Sequence, residues 1–227
     1  MRDDPRFRPA YTIAEAAHYL GMPITTVRSW VRGQPYKTSG VRRFFKPVIH
    51  TPAENALSFI NFVELHVLAA ITRQFRIPLQ KVRKSLDYLA RHSPSPHPLA
   101  VRDFETNGLD IFVRQAGHLI AVSDSGQLAI RRVLDPYLKR IVRAADGLPS
   151  RLYLFTARPD PAAPKSVVLD PRISFGRPVL AGTGVPTAVI AERYKAGESV
   201  DALAKDYRRS RSEIEEAIRC ELSTAAA

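Results

Sequence analysis

The residues in this sequence that could do chemistry offer cationic and hydrogen-bonding groups. Thr25, Thr26, Arg28, Ser29 and Arg32 crowd one short stretch, and Lys37, Arg42 and Arg43 follow closely. Arg208, Arg209 and Arg211 form a second cluster near the C-terminus, and Arg177 stands in a proline-braced loop. Hydroxyls and guanidinium groups on a short helix can reach phosphates and base edges. The middle of the chain, residues 93–170, holds no catalytic pattern: no paired acids, no Ser/His/Asp set and no glycine loop shaped to cradle a phosphate. The single cysteine, Cys220, excludes an internal disulfide and a Cys-based zinc site. His66 lies among apolar residues and is expected to pack. His92 and His97 have no carboxylate or cysteine at ligand spacing. No catalytic residue, metal or cofactor is expected.

Charge supports a polyanionic partner. The chain carries +12 overall. Residues 1–92 hold 15 Lys+Arg against 6 Asp+Glu, whereas residues 93–227 hold 19 against 16. The basic excess is therefore N-terminal, as a nucleic-acid binder would have it; a generally basic composition is the other reading. The start, MRDDPRFRPA, has no apolar segment of the secretory kind. The longest apolar run, Val67 to Ile71, is far short of a membrane span. A cytoplasmic location, with no membrane contact, is the expectation.

The elements that must position these groups are legible in order. Thr12 caps a first helix and Glu15 completes a capping box. Ile13, Ala16, Ala17 and Leu20 share one face. Gly21 and Pro23 end that helix, and a second starts near Thr25, buries Val27, Trp30 and Val31, and stops at Gly33. Two short helices with a four-residue turn suit major-groove insertion; a plain αα-hairpin is the alternative. Residues 34–48 turn at Ser39-Gly40 and offer Lys37, Arg42, Arg43 and Lys46 as a wing or an exposed basic loop. Ser58 caps a helix to Phe75 that is apolar over more than one face, so it is central to a domain or half of a dimer seam. A second helix follows from Leu79 to Arg91, burying Val82, Leu86 and Leu89.

SPSPHP (Ser93–Pro98) marks the clearest boundary. Beyond it a hairpin is expected over Leu109–Arg114 and Leu119–Ser123, then a helix capped by Asp135 over Pro136–Ala144, then strands at Leu152–Thr156 and Val167–Leu169. Three helices close the chain. The first, Thr187–Ala196, should bury Ile190 and Tyr194. The second, capped by Ser199, should bury Leu203 and Tyr207. The third, entered through a Ser210–Glu213 capping box, should bury Ile214, Ala217, Ile218 and Leu222. The fold class is α+β, mainly α: a winged helix-turn-helix over 1–92, a small β-containing middle section over 93–170 and a helix-turn-helix-like unit over 171–227.

Two stretches carry a resemblance. T-I-x-E-A-A-x-Y-L-G (Thr12–Gly21) and T-x-R-x-W (Thr26–Trp30) resemble the MerR and excisionase class of winged helix-turn-helix domains, in which Trp30 would be core. Gly176–Pro186 (GRPVLAGTGVP), Ala196–Val200 (AGESV) and Tyr207 resemble a bacterial domain of formerly unknown function found in VapB-like antitoxins of toxin–antitoxin modules. Longer members carry a MerR-like N-terminus and an S-F-x-N-x-x-E-x-H-V helix, matched by Ser58–Val67. The commoner form has an arginine where Gly184 stands. The resemblance implies an antitoxin that binds a PIN-like ribonuclease toxin as a hetero-oligomer and represses its own operon as a DNA-bound complex; a homodimer is expected because palindromic operators are read by two-fold dimers. Thr25, Thr26, Arg28, Ser29 and Arg32, with Lys37, Arg42 and Arg43, would contact DNA. Arg177 is a candidate for insertion into the toxin; a surface ion pair with a nearby carboxylate is its other reading. Arg208, Arg209 and Arg211 could read DNA or dock protein, and the charge of Thr187–Leu222, 7 Lys+Arg against 8 Asp+Glu, leans toward docking. A MerR-like regulator whose middle section senses a small ligand is the alternative function. A nucleic-acid enzyme is disfavoured because no metal-binding acid cluster is present.

Overall fold

A helix without a polar face has to be wrapped on every side. In the computed structural model, which describes residues 4–38, 41–53, 56–75, 79–93, 95–102, 104, 134–157 and 159–222, that helix is α3 (Phe59–Phe75). Every residue from 59 to 71 is buried, so α3 is central to the chain. The polar residues within 59–71, Asn61, Glu64 and His66, are buried too, and each is partnered. Ser58 Oγ accepts from the Asn61 N–H at 3.2 Å, and Asn61 Nδ2 donates to the His50 carbonyl at 2.8 Å. Glu64 meets His97 Nδ1 at 3.0 Å. His66 Nε2 lies 3.1 Å from the Tyr137 carbonyl.

Around α3 the N-terminal elements fold as their caps and apolar spacing require. β1 (Tyr11–Thr12) pairs antiparallel with β4 (Ala56–Leu57). α1 (Ile13–Tyr19) begins at a complete Thr12–Glu15 capping box. α2 (Ile24–Arg32) buries Val27, Trp30 and Val31. β2 (Gln34–Thr38) and β3 (Val41–Phe45) form the wing hairpin, and α4 (Leu79–His92) buries Leu86 and Leu89. The Val48 and Ile49 N–H groups both donate to the Trp30 carbonyl, at 2.7 and 3.1 Å, tying the exit of the wing to the end of α2.

The middle strands and the C-terminal segment share one antiparallel sheet, in the order β5 (Ile141–Arg143), β6 (Pro149–Tyr153), β7 (Val167–Leu169), β8 (Val179–Leu180). After β8 come α5 (Thr187–Lys195), α6 (Val200–Tyr207) and α7 (Arg211–Leu222). They surround a small core of Leu180, Ile190, Leu203, Ile214, Ala217 and Ile218. Ser199 caps α6 through the Ala202 N–H at 3.1 Å, and Ser210 and Glu213 form the capping box of α7.

Three expectations are corrected. The helix expected over Pro136–Ala144 with Asp135 as its cap ends earlier: residues 134–138 are helical, Asp135 lies within that segment, and Ile141 and Val142 pair with Leu152 and Arg151 in the sheet instead. Tyr194 is exposed: α5 turns Thr187, Ile190 and Ala191 inward, and its inward stripe ends before the last turn. Leu222 is exposed at the final residue of α7, past the core it was expected to join. The hairpin expected over Leu109–Ser123, the Ser39-Gly40 turn, the Ile77-Pro78 junction and the Val82 side chain lie outside the described residues.

Buried His66 generates a pH dependence. Burial pushes its imidazole down from 6.5 to about 4, against the contact with Tyr137. The unfolded chain therefore binds an extra proton between those values, and stability rises with pH across that window. The penalty is absent above pH 6.5 and grows to roughly 3 kcal/mol by pH 4. Urea denaturation at several pH values should show this slope in the native chain and a shallower one in His66→Gln.

Candidate nucleic-acid interface

α2 separates its residues cleanly. Val27, Trp30 and Val31 face inward, while Thr25, Arg28 and Arg32 are exposed on the opposite side. Thr26 and Ser29 are half-buried, and the Ser29 hydroxyl donates to the Thr26 carbonyl at 2.9 Å. That bond is of the kind that helical serines make with the preceding turn. Three of the five side chains expected to contact DNA are thus presented outright, and Ser29 already has a partner within the helix.

The wing follows without a linker. Gly33 sits at φ +74°, and a Cβ there would lie 2.1 Å from the Phe45 carbonyl oxygen, so only glycine lets the chain turn from α2 straight into β2. Tyr36 stacks on Phe45 at 3.8 Å, and the Arg83 guanidinium stands 5.3 Å above the Phe45 ring, which braces the base of the hairpin. The register sets Lys37 opposite Arg42 and Tyr36 opposite Arg43. Arg28, Arg42 and Arg43 are exposed and have no ion-pair partner among the described residues.

The C-terminal arginines differ. Arg211 pairs with Asp201 at 2.7 Å and Glu215 at 2.9 Å, and Arg209 with Glu213 at 3.4 Å. Arg208 is exposed in a left-handed conformation at the end of α6. Two of the three cations are therefore occupied by carboxylates of their own unit.

Arg177 lies against the helix-turn-helix and forms an ion pair with Glu15, the capping-box residue of α1. Burial alone would raise the Glu15 carboxyl, but hydrogen bonds from Thr12 and Arg177 hold it below the usual carboxylate range. One residue earlier, the Tyr11 hydroxyl donates to the Gly176 carbonyl at 2.8 Å in a buried contact. A Cβ on Gly176 (φ +79°) would stand 2.6 Å from that hydroxyl. His18 Nε2 meets the Cys220 carbonyl at 3.0 Å, adding α7 to the same junction. Sequence spacing did not single out Tyr11 as a contact, and it gave Glu15 only its capping role. Immediately before these anchors, Ser174 and Phe175 are held at φ +48° and +54°. Each such non-glycine residue costs on the order of 1–3 kcal/mol. A Cβ at Gly184 would have no atom within 4 Å, so a side chain there would enter open space.

An exposed helix lined with threonine and arginine, a basic hairpin beside it and a three-helix unit latched onto the first helix define a winged helix-turn-helix protein with a C-terminal accessory unit. Residues 9–86 match the family model described as "Putative DNA-binding HTH domain", and residues 167–219 the one described as "Protein of unknown function (DUF433)". The chain is 33% identical to "Putative antitoxin VapB45" of Mycobacterium tuberculosis, over 88% of each chain. It is 26% identical to "Uncharacterized protein Rv2308" of the same organism, over 93% of this chain and 89% of that one. The crystal structure of Rv2018 from Mycobacterium tuberculosis superposes with a TM-score of 0.69 at 29% identity, covering 94% of this chain and 99% of the other. The chain belongs to the VapB-like antitoxin family.

The Tyr11–Gly176 bond is testable. Tyr11→Phe leaves the buried Gly176 carbonyl without its donor and should cost about 1–2 kcal/mol in urea denaturation, with the far-ultraviolet circular dichroism unchanged.

Proposed function

We propose that this chain is a cytoplasmic antitoxin that binds and neutralises a PIN-like ribonuclease toxin and represses its own operon. It would be a non-enzymatic regulator. The observation that carries the DNA half is the contrast in cation pairing. Arg28, Arg42 and Arg43 stand exposed without carboxylate partners on α2 and the wing, whereas Arg209 and Arg211 are neutralised within the C-terminal unit. Thr25, Arg28 and Arg32 would read the groove, with the wing on the flanking backbone. Two copies would read a palindromic operator, and their contact would lie outside residues 59–71 of α3, which the chain itself buries. The antitoxin half rests on family membership. A basic protein is chemically suited to a partner with an acidic, metal-binding active site.

One observation favours a ligand-sensing regulator as the second reading. A cleft of about 450 Å³ opens where α1, α3, the middle section and α7 meet, with Tyr19, His66, Arg73, Phe155 and Cys220 in its wall. Co-expression with the adjacent open reading frame separates the two. A small protein that co-purifies and is toxic when expressed alone supports the antitoxin; operator binding with no such partner supports the sensor.

The DNA assignment has its own test. Arg28→Ala combined with Arg32→Ala should weaken operator binding on the order of tenfold and lower the salt slope by roughly 2 if both meet phosphates. Arg211→Ala should leave operator affinity unchanged. Gel-shift titrations at several fixed salt concentrations check both.

A further inference from the structure

We infer that Phe175 is the anchor of a protein-docking site and enters an apolar pocket bordered by carboxylates on the partner; this rests on the antitoxin reading above. Phe175 is 93% exposed, and the next most exposed large apolar residue among those described, Phe44, is at 58%. A phenylalanine so displayed contributes almost nothing to the core, yet its backbone is held in the left-handed region beside a second such residue, Ser174. Strain of this kind persists only where the surroundings over-determine it, and it marks sites where a fixed geometry is used.

The surroundings here do so from both sides. Upstream, buried Asp170 accepts from the Arg172 N–H at 2.9 Å through its side chain and from the Ile173 N–H at 2.9 Å through its carbonyl. It also pairs with Arg151 at 3.1 Å. Downstream, the Gly176 N–H donates to the Ile173 carbonyl at 2.9 Å and the Arg177 N–H to the Ser174 carbonyl at 3.0 Å. Gly176 is then held by Tyr11, and Arg177 by Glu15. The ring is thus presented on a rigid mount that spans two parts of the chain. A rigid, pre-positioned aromatic side chain loses little freedom on binding and typically dominates an interface.

The partner's chemistry follows from what flanks the ring. Arg172 is exposed with no ion pair among the described residues, and Arg177 is half-exposed. Complementarity asks for carboxylates around the pocket that receives Phe175. A protein fits better than DNA. Thr187–Leu222 carries 7 Lys+Arg against 8 Asp+Glu, and Glu15 and Asp170 stand close to the loop. Among the described residues, Val189, Tyr194 and Leu222 of the same unit are also large, apolar and exposed. The unit that carries Phe175 is thus charge-balanced and exposes further apolar side chains, a composition suited to docking protein rather than DNA.

The test uses the full-length chain, Phe175→Ala and Phe175→Gly, each titrated with the purified product of the adjacent open reading frame. Both variants should bind that product on the order of thirtyfold more weakly, with operator affinity and oligomeric state unchanged. Phe175→Gly should in addition raise the Tm, since glycine relieves the left-handed strain without losing a core contact. Equal affinity in variants and native chain overturns the docking site and leaves the antitoxin reading standing. If the native chain does not bind the product, both the reading and the inference fall. Loss of operator affinity would make Phe175 a DNA wedge, and a change in self-association would make it a contact with a second copy; each overturns the proposal. A lower Tm in Phe175→Gly would assign the ring a structural role and overturn it as well.

Discussion

Burial of α3 on all sides is the constraint from which the rest of the structure follows. Thirteen consecutive residues, 59–71, have no solvent-facing side, so the helix cannot exist until other segments cover it. Apolar burial supplies the driving force but is non-directional. Direction comes from the few polar groups that α3 carries inside. An unpaired buried carboxylate or amide is costly, so each is met by a particular segment. Asn61 takes the His50 carbonyl at the end of the wing region, Glu64 takes His97 from the proline-rich stretch, and His66 takes Tyr137 from the middle section. The S-F-x-N-x-x-E-x-H-V pattern is therefore structural: it encodes which pieces of chain lie where on the helix.

The second organising contact joins the two ends of the chain. Glu15 closes the cap of α1 and also pairs with Arg177, so one carboxylate serves local helix initiation and long-range docking. The exposed ion pair by itself contributes about 0–1 kcal/mol. The buried Tyr11–Gly176 bond and the His18–Cys220 contact give the junction its specificity. With β8 completing the middle sheet, the C-terminal helices are held against the helix-turn-helix by strand pairing, buried hydrogen bonds and an ion pair together. A partner that grips the Ser174–Gly176 turn would therefore touch a segment hydrogen-bonded to α1 and its preceding strand, though not to the exposed face of α2.

Charge is divided in the same spirit. The N-terminal excess of cations leaves Arg28, Arg42 and Arg43 exposed without carboxylate partners among the described residues, whereas Arg193, Arg209, Arg211 and Arg219 of the balanced C-terminal helices pair with carboxylates of their own unit. Net charge by segment hinted at this division, but pairing is what distinguishes a cation available to phosphate from one already spent on a neighbouring carboxylate.

Most of what the sequence by itself determined is held by bonds within about four residues or by one helical face. The caps Thr12–Glu15, Ser58–Asn61 and Ser210–Glu213 form as spaced, and Val27, Trp30 and Val31 turn inward as their periodicity requires. Such features depend only on neighbours along the chain, so residue type and spacing suffice to state them. The tertiary structure alone decided where distant partners meet. Ile141 and Val142 left a helical pattern for strand pairing, Tyr194 and Leu222 lay beyond the reach of the small C-terminal core, and His97 found Glu64, 33 residues before it. Arg177 met a carboxylate 162 residues away, and the ring beside it was left with nothing to cover it. Those outcomes turn on the path of the whole chain through space, and no local spacing carries that information.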